Sequence, residues 1–145
     1  MQTTVVNSAD LSPRLRLAIT RMARRLRQEA DAGLSPSLTA ALATLERHGP
    51  LTPSRLAEIE RIQRPTVTRL LATLENDGLV EREADPDDGR VSHVRITREG
   101  SALVKKLRSR KNAYLSKRLR NLGDDELEIL ERATAILERV LEDPE

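Results

Sequence analysis

Between residues 65 and 97 a helical stripe gives way at once to a hairpin pattern, and this transition limits the possible folds more than any other feature of the chain. Val67, Leu70, Leu71 and Leu74 recur at helical spacing, and Gly78 ends the run. Leu79-Val80-Glu81-Arg82-Glu83 and Val91-Ser92-His93-Val94-Arg95-Ile96-Thr97 then read as two short strands with period-two features. Between them lies Asp85-Pro86-Asp87-Asp88-Gly89-Arg90, a concentration of turn formers. A β-hairpin directly behind a helix is the sequence form of a wing.

The remaining segments read as helices. Ser12-Pro13, Ser35-Pro36 and Thr52-Pro53 repeat one start signal: a hydroxyl that can cap orphan N–H groups, then a proline that loses no hydrogen bond at the first helical position. Leu11, Leu15, Ile19, Met22 and Leu26 predict a helix over about 12–31, stopped by Gly33. Leu38, Leu42 and Leu45 predict a second over 36–47, ended by Gly49-Pro50. A short third helix covers 53–60, with Leu56 and Ile59 inward. The fourth covers 65–77, with Pro65 in its first turn and Arg64 as its N-cap. A long helix over 98–120 carries Leu103, Leu107, Tyr114, Leu115 and Leu119, and a last one over 124–142 carries Leu127, Leu130, Ala133, Leu137 and Leu141.

Aromatics are nearly absent: Tyr114 stands alone, with no Trp and no Phe, so the core is built from aliphatic residues. Cysteine is also absent, which removes disulfides, zinc–thiolate sites and thiol redox sensing together. The first ten residues have neither the basic nor the apolar region of a signal peptide, and no apolar run approaches the ~20 residues that span a membrane. A cytoplasmic protein with no membrane partner is the expectation. The net charge of +2 is uninformative, but its distribution is segregated. Residues 14–27 hold six Arg and no acid, residues 98–120 nine Lys/Arg against one acid, and residues 121–145 nine acids against two bases. Solvated helix faces account for such runs by themselves.

Two short helices with a tight turn, followed by a hairpin, make a winged helix-turn-helix, in which the second helix enters the major groove of DNA. The outward face of that helix is Arg64, Thr66, Thr68, Arg69 and Thr73, with no acid before Glu75. Arginine binds guanine in a bidentate way, and threonine serves phosphate, base edge or thymine methyl. An ordinary solvated helix mixes Glu with Lys on such a face.

Leu56-Ala57-Glu58, Pro65-Thr66-Val67-Thr68-Arg69-Leu70-Leu71, Leu74-Glu75-Asn76-Asp77-Gly78-Leu79-Val80, and Asp88-Gly89-Arg90 followed by Ile96-Thr97 and Gly100 resemble the MarR family of bacterial regulators. Ile96 replaces the leucine usual in that family. The resemblance runs from about residue 12 to 141 and is most specific, as a combination, over 52–100. It implies a mainly α fold of six helices with a two-stranded wing, in one domain over 1–145. Residues 36–100 would form the DNA-binding lobe, and 10–33 with 101–145 the helical dimerisation region. It also implies a homodimer on a pseudo-palindromic double-stranded operator, acting as a repressor released by a small-molecule effector. The wing arginine that enters the minor groove corresponds to Arg90, which suits a narrow, negatively charged groove, and Asp88 would orient its guanidinium.

The candidate DNA-binding residues are thus Arg55, Arg64, Pro65, Thr66, Thr68, Arg69, Asp88 and Arg90, with Arg55 a phosphate contact. Bland alternatives exist: Arg69 could pair with Glu75 or Asp77, the threonines could be plain surface, and Arg90 could merely brace the hairpin. His48 and His93, in unlike contexts, read as a loop and a strand residue and not as metal ligands. Tyr114 reads as interface or core, and the basic run 105–111 as a solvated or dimer-flanking face. No ligand residues are assigned, because aromatics to stack an effector are lacking. A protein-interaction winged helix is the rival reading; protein interfaces enrich aromatics, and the α-helical face has none. Enzyme function is not expected: the chain has no Cys, no paired His and no phosphate-cradling loop, and Asp85, Asp87 and Asp88 lack EF-hand spacing. No cofactor and no metal is expected.

Overall fold

The computed structural model describes residues 4–142. Six helices and one hairpin follow in the order α1 (Ser8–Ala30), α2 (Pro36–His48), α3 (Pro53–Glu60), α4 (Arg64–Asn76), β1 (Val80–Ala84), β2 (Ser92–Ile96), α5 (Arg98–Leu119) and α6 (Asp124–Glu142). The mainly helical winged architecture expected from the sequence is the one observed. Boundaries agree within a residue or two except at α1.

Two helix starts differ from expectation. α1 begins at Ser8, capped by Asn7, whose side chain accepts from the Ala9 N–H at 2.9 Å. Ser12-Pro13 therefore lies inside the helix, and the Ser12 hydroxyl donates back to the Ser8 carbonyl at 2.7 Å. The earlier Asn cap extends the helix by a turn, and Pro13 withdraws one hydrogen bond near an exposed end. At α4 the N-cap is Gln63, with no side-chain capping bond, and Arg64 is the first helical residue. Pro65 lies in the first turn, where its missing N–H costs no hydrogen bond, and the helix starts one residue ahead of it. His48 closes α2 instead of lying in a loop.

Leu42, Leu45, Leu56, Val67, Leu71, Leu74 and Val94 are fully buried and define one core over which α2, α3, α4, the hairpin and the start of α5 converge. Leu70, expected on the inward stripe of α4, is half-buried. The strands pair antiparallel, Val80 opposite Ile96 through Ala84 opposite Ser92. Leu51 adds a bridge on the far side of β2, exchanging both backbone bonds with Val94 at 3.0 and 2.7 Å.

The Ile96-Thr97…Gly100 motif has a steric cause. The Thr97 hydroxyl donates to the Gly78 carbonyl at 2.7 Å and caps α5 by accepting from the Gly100 N–H at 3.1 Å. This draws the first turn of α5 against the turn between α4 and β1. A Cβ on Gly100 would collide with the Leu79 carbonyl oxygen and stand 2.7 Å from Ile96 Cγ1. Gly100→Ala should therefore destabilise the protein by about 1–3 kcal/mol through overpacking. Thermal unfolding checks this, and a variant that melts with wild type would contradict it.

α1 packs along α5, whereas α6 makes no substantial contact with any other described element. Both terminal helices leave their apolar stripes bare: Leu11, Leu15, Ile19 and Met22 on α1, and Leu127, Leu130, Ile136 and Leu141 on α6, are exposed.

Candidate nucleic-acid interface

α3 and α4 meet through a tight turn. Arg61 caps α3 in the left-handed conformation at φ 54°, and its N–H bonds back to α3. This short reversal sets the two helices at an angle and leaves the start of α4 exposed. Arg64, Pro65, Thr68 and Arg69 are exposed there, while Thr66 is half-buried.

These side chains are partly organised. The Arg64 guanidinium donates to the Ser54 hydroxyl, tying the start of α4 to the first turn of α3. Thr68 and Thr73 turn their hydroxyls back onto the Arg64 and Arg69 carbonyls at 3.1 and 3.2 Å. Such bonding satisfies the hydroxyl donor and leaves the oxygen lone pairs and methyl outward. Arg69 makes no ion pair among the described residues. Glu75, a partner considered from sequence, is instead held by Arg82 of β1 at 3.1 Å. Arg55 pairs with Glu58 at 2.9 Å, both exposed. Ser54, which meets Arg64, was not among the sequence candidates. Ser54 follows Pro53 in the first turn of α3, and a proline-led turn facing the next helix start is the signal that could have found it.

The wing places Asp88 and Arg90 together at its tip. Asp88 Oδ1 accepts from the Arg90 backbone N–H at 3.1 Å and from Nε at 3.2 Å, and Oδ2 accepts from Nη2 at 3.4 Å. The Arg90 side chain is 92% exposed. The arginine contact holds the Asp88 carboxyl below its ordinary range. At the base of the tip, Asp85 is held low by a hydrogen bond from His93 and then by backbone N–H donors of Asp87 and Asp88. A carboxylate whose native pKa is depressed contributes its stability above its unfolded pKa and loses it as pH falls through the native value. The tip contacts of Asp85 and Asp88 therefore weaken as pH falls through their lowered values and are retained above them. Arg82–Glu75 anchors the wing to α4, and among the described residues no hydrogen bond or ion pair joins the Arg64–Arg69 group to the Asp88–Arg90 group.

The basic run of α5 does more than face solvent. Arg108 pairs with Glu46 of α2 at 2.6 Å, and Arg110 donates to the Ala30 and Asp31 carbonyls at the end of α1, both at 3.4 Å. Tyr114 lies in an open cleft of about 760 Å³ between α1 and α5, lined by Arg21, Arg24, Arg25 and Arg118. Its hydroxyl accepts from Arg25 Nε at 3.2 Å, which lowers its pKa, and Arg118 stacks 5.3 Å from the ring centre. Among the described residues no cluster of His, Cys, Asp or Glu is suited to a metal ion.

Comparison with known proteins adds independent support. The family model of the MarR family matches residues 34–92. An uncharacterised HTH-type transcriptional regulator of Mycobacterium leprae is 39% identical over 140 residues, covering 95% of this chain and 98% of the relative. A MarR family protein from Bacillus stearothermophilus shares the fold with a TM-score of 0.82 at 24% identity, covering 96% of this chain and all of that one. A Staphylococcus aureus MepR mutant, solved bound to an oligodeoxyribonucleotide, shares it with a TM-score of 0.70 at 23% identity, covering 90% and 97%. Six helices around a winged helix-turn-helix, a matched motif region and a near full-length relative converge: the chain belongs to the MarR family of DNA-binding transcriptional regulators.

Proposed function

We propose that this regulator works as a homodimeric repressor in the cytoplasm, reading a pseudo-palindromic operator with α4 in the major groove and Arg90 in the minor groove. The observation that carries the reading is the pairing of an acid-free, exposed α4 start (Arg64, Pro65, Thr68, Arg69) with a wing tip whose arginine is oriented and almost fully exposed. Thr66 and Arg55 flank that surface, and Asp88 acts through Arg90. Residues 36–100 serve as the DNA-binding lobe, and α1, α5 and α6 as the dimerisation region. Paired recognition helices would then meet half-sites about one helical turn, about 34 Å, apart.

The bare stripes of α1 and α6 support the dimer, and so does charge. The α1–α5 cleft carries four arginines, while α6 is rich in Asp and Glu and makes no substantial contact with any other described element. Release by a small-molecule effector belongs to the same reading. Arg108–Glu46 and the Arg110 contacts join α5 to α2 and α1, so a change of spacing between the dimer helices would reach the DNA-binding lobe.

Two arginine variants test the reading. Arg69→Ala should cost about 1–3 kcal/mol and relax specificity at one base pair of each half-site. Arg90→Ala should weaken binding mainly where the flanks are A·T-rich and the minor groove narrow. Both should stay folded and dimeric, because neither position faces the core. Binding is measured on operators varied separately at the half-site centres and flanks. Equal losses on every DNA would reduce both residues to phosphate contacts, and unchanged binding by both would overturn the assignment of the reading elements.

A further inference from the structure

We propose that His93 is a positioning residue for the wing arginine, acting through Asp85 and Asp88; the proposal rests on the reading that Arg90 contacts DNA. The Arg90 side chain extends into solvent and is held by Asp88 alone. An exposed ion pair between two mobile side chains fixes little. Arg90 is therefore only as well placed as Asp88 is.

Asp88 is placed by Asp85. One carboxylate oxygen of Asp85, Oδ1, accepts the backbone N–H of Asp87 at 2.8 Å and that of Asp88 at 3.1 Å. The Asp85 N–H bonds to the Val91 carbonyl at 2.8 Å, and the Val91 N–H to the Asp88 carbonyl at 3.0 Å, closing the loop around this side chain. These contacts use one oxygen. The other, Oδ2, meets Nε2 of His93 at 2.8 Å. The His93 and Asp85 side chains are 28% and 25% exposed, in a wing whose tip is otherwise open to solvent.

The link spans the hairpin. His93 stands on β2 opposite Glu83, while Asp85 lies just beyond the last ladder pair, Ala84 with Ser92. A side chain from the rigid ladder thus reaches up and grips the carboxylate that organises the loop. Without that grip the Asp85 carboxylate can rotate, its Oδ1 leaves the two N–H groups, and Asp88 and Arg90 spread over more conformations. His93 itself need touch no DNA.

The role requires a donor at the Nε2 position, which glutamine can supply and leucine cannot. His93→Leu should weaken operator binding roughly three- to ten-fold, the net value of one hydrogen bond, and His93→Gln should recover most of it. In the Arg90→Ala background His93→Leu should cost nothing further, since both act through one contact. In the DNA-free protein, amide exchange at Asp87 and Asp88, the two N–H groups held by Asp85, should quicken in His93→Leu and not in His93→Gln. Additive losses in the double variant, a glutamine as weak as leucine, or unaltered exchange at Asp87 and Asp88 would each overturn the inference while leaving the wing-arginine reading intact. An Arg90→Ala protein that binds as tightly as wild type would take down both.

Discussion

Replacing Leu127 and Leu130 together by glutamate should yield a folded monomer that holds a two-half-site operator about 1,000-fold more weakly, near the level of non-specific binding. Both leucines lie on α6, about two-fifths exposed at 38% and 42%, on a helix with no substantial contact to the rest of its own chain. The substitutions therefore leave the winged lobe and its core untouched. In the proposed dimer they would remove the cover that a partner gives to these stripes, where each fully buried leucine is worth about 1.5–3 kcal/mol. They also add four carboxylates per dimer to a helix already rich in acid. A monomer keeps α4 and the wing but engages one half-site, losing the second set of contacts that a tethered copy supplies at high effective concentration. Sedimentation at micromolar concentration and operator titration read both effects. A doubly substituted protein that still sediments as a dimer would place the interface elsewhere.

Local patterns in the sequence located most of the fold. Thr52-Pro53 marked the start of α3 and the acidic first turn that of α6, because caps and helix-dipole complements act within a few residues. The same logic failed at Ser12-Pro13, since a cap signal competes with any other cap nearby and Asn7 lay upstream with its own helix-compatible run. It failed at Gln63 because glutamine carries no capping signature, and Pro65 is compatible with a helix that begins at itself or one residue earlier. Contacts distant in sequence were out of reach. Leu51 pairing with Val94, Arg108 with Glu46, and the collision that keeps residue 100 a glycine depend on the assembled fold.

The candidate interface divides in the same way. The composition of the α4 face was legible, because a helix face without acid is visible as a pattern. The identity of the partners was not: Glu75 is taken by Arg82, Arg69 has no ion-pair partner among the described residues, and Arg64 is steered by Ser54. His93 illustrates the limit. Its neighbours in sequence mark it as a strand residue, and only the closed hairpin brings it to Asp85.

Affinity for the operator should fall about 10,000-fold between 50 and 200 mM salt, within the range of about 10³–10⁵ expected for proteins making 6–10 phosphate contacts. The net charge of +2 would not suggest so steep a response, but counterion release depends on the cations at the groove and not on the whole-chain sum. An arginine seated in either groove displaces counterions whether it bonds a base edge or a phosphate, so Arg55, Arg64, Arg69 and Arg90 give four cations per protomer and, in a dimer, about eight; a slope of about −0.9 per displaced counterion then gives about −7 in log–log terms. A four-fold rise in salt raised to that power is about 10⁴. The four arginines are not equivalent. Arg64 is held only by a neutral hydroxyl and keeps its full charge for DNA, so Arg64→Ala should reduce the slope by about two per dimer. Arg55 already pairs with Glu58, and bringing DNA to it exchanges one anion for another, so Arg55→Ala should flatten the slope less. Titrations across a salt series on one operator measure each slope. A wild-type response shallower than about −3 would mean that fewer than half of these arginines enter the grooves or reach the phosphates. Equal slopes for the Arg64 and Arg55 variants would show that the Glu58 pair gives way completely on the DNA.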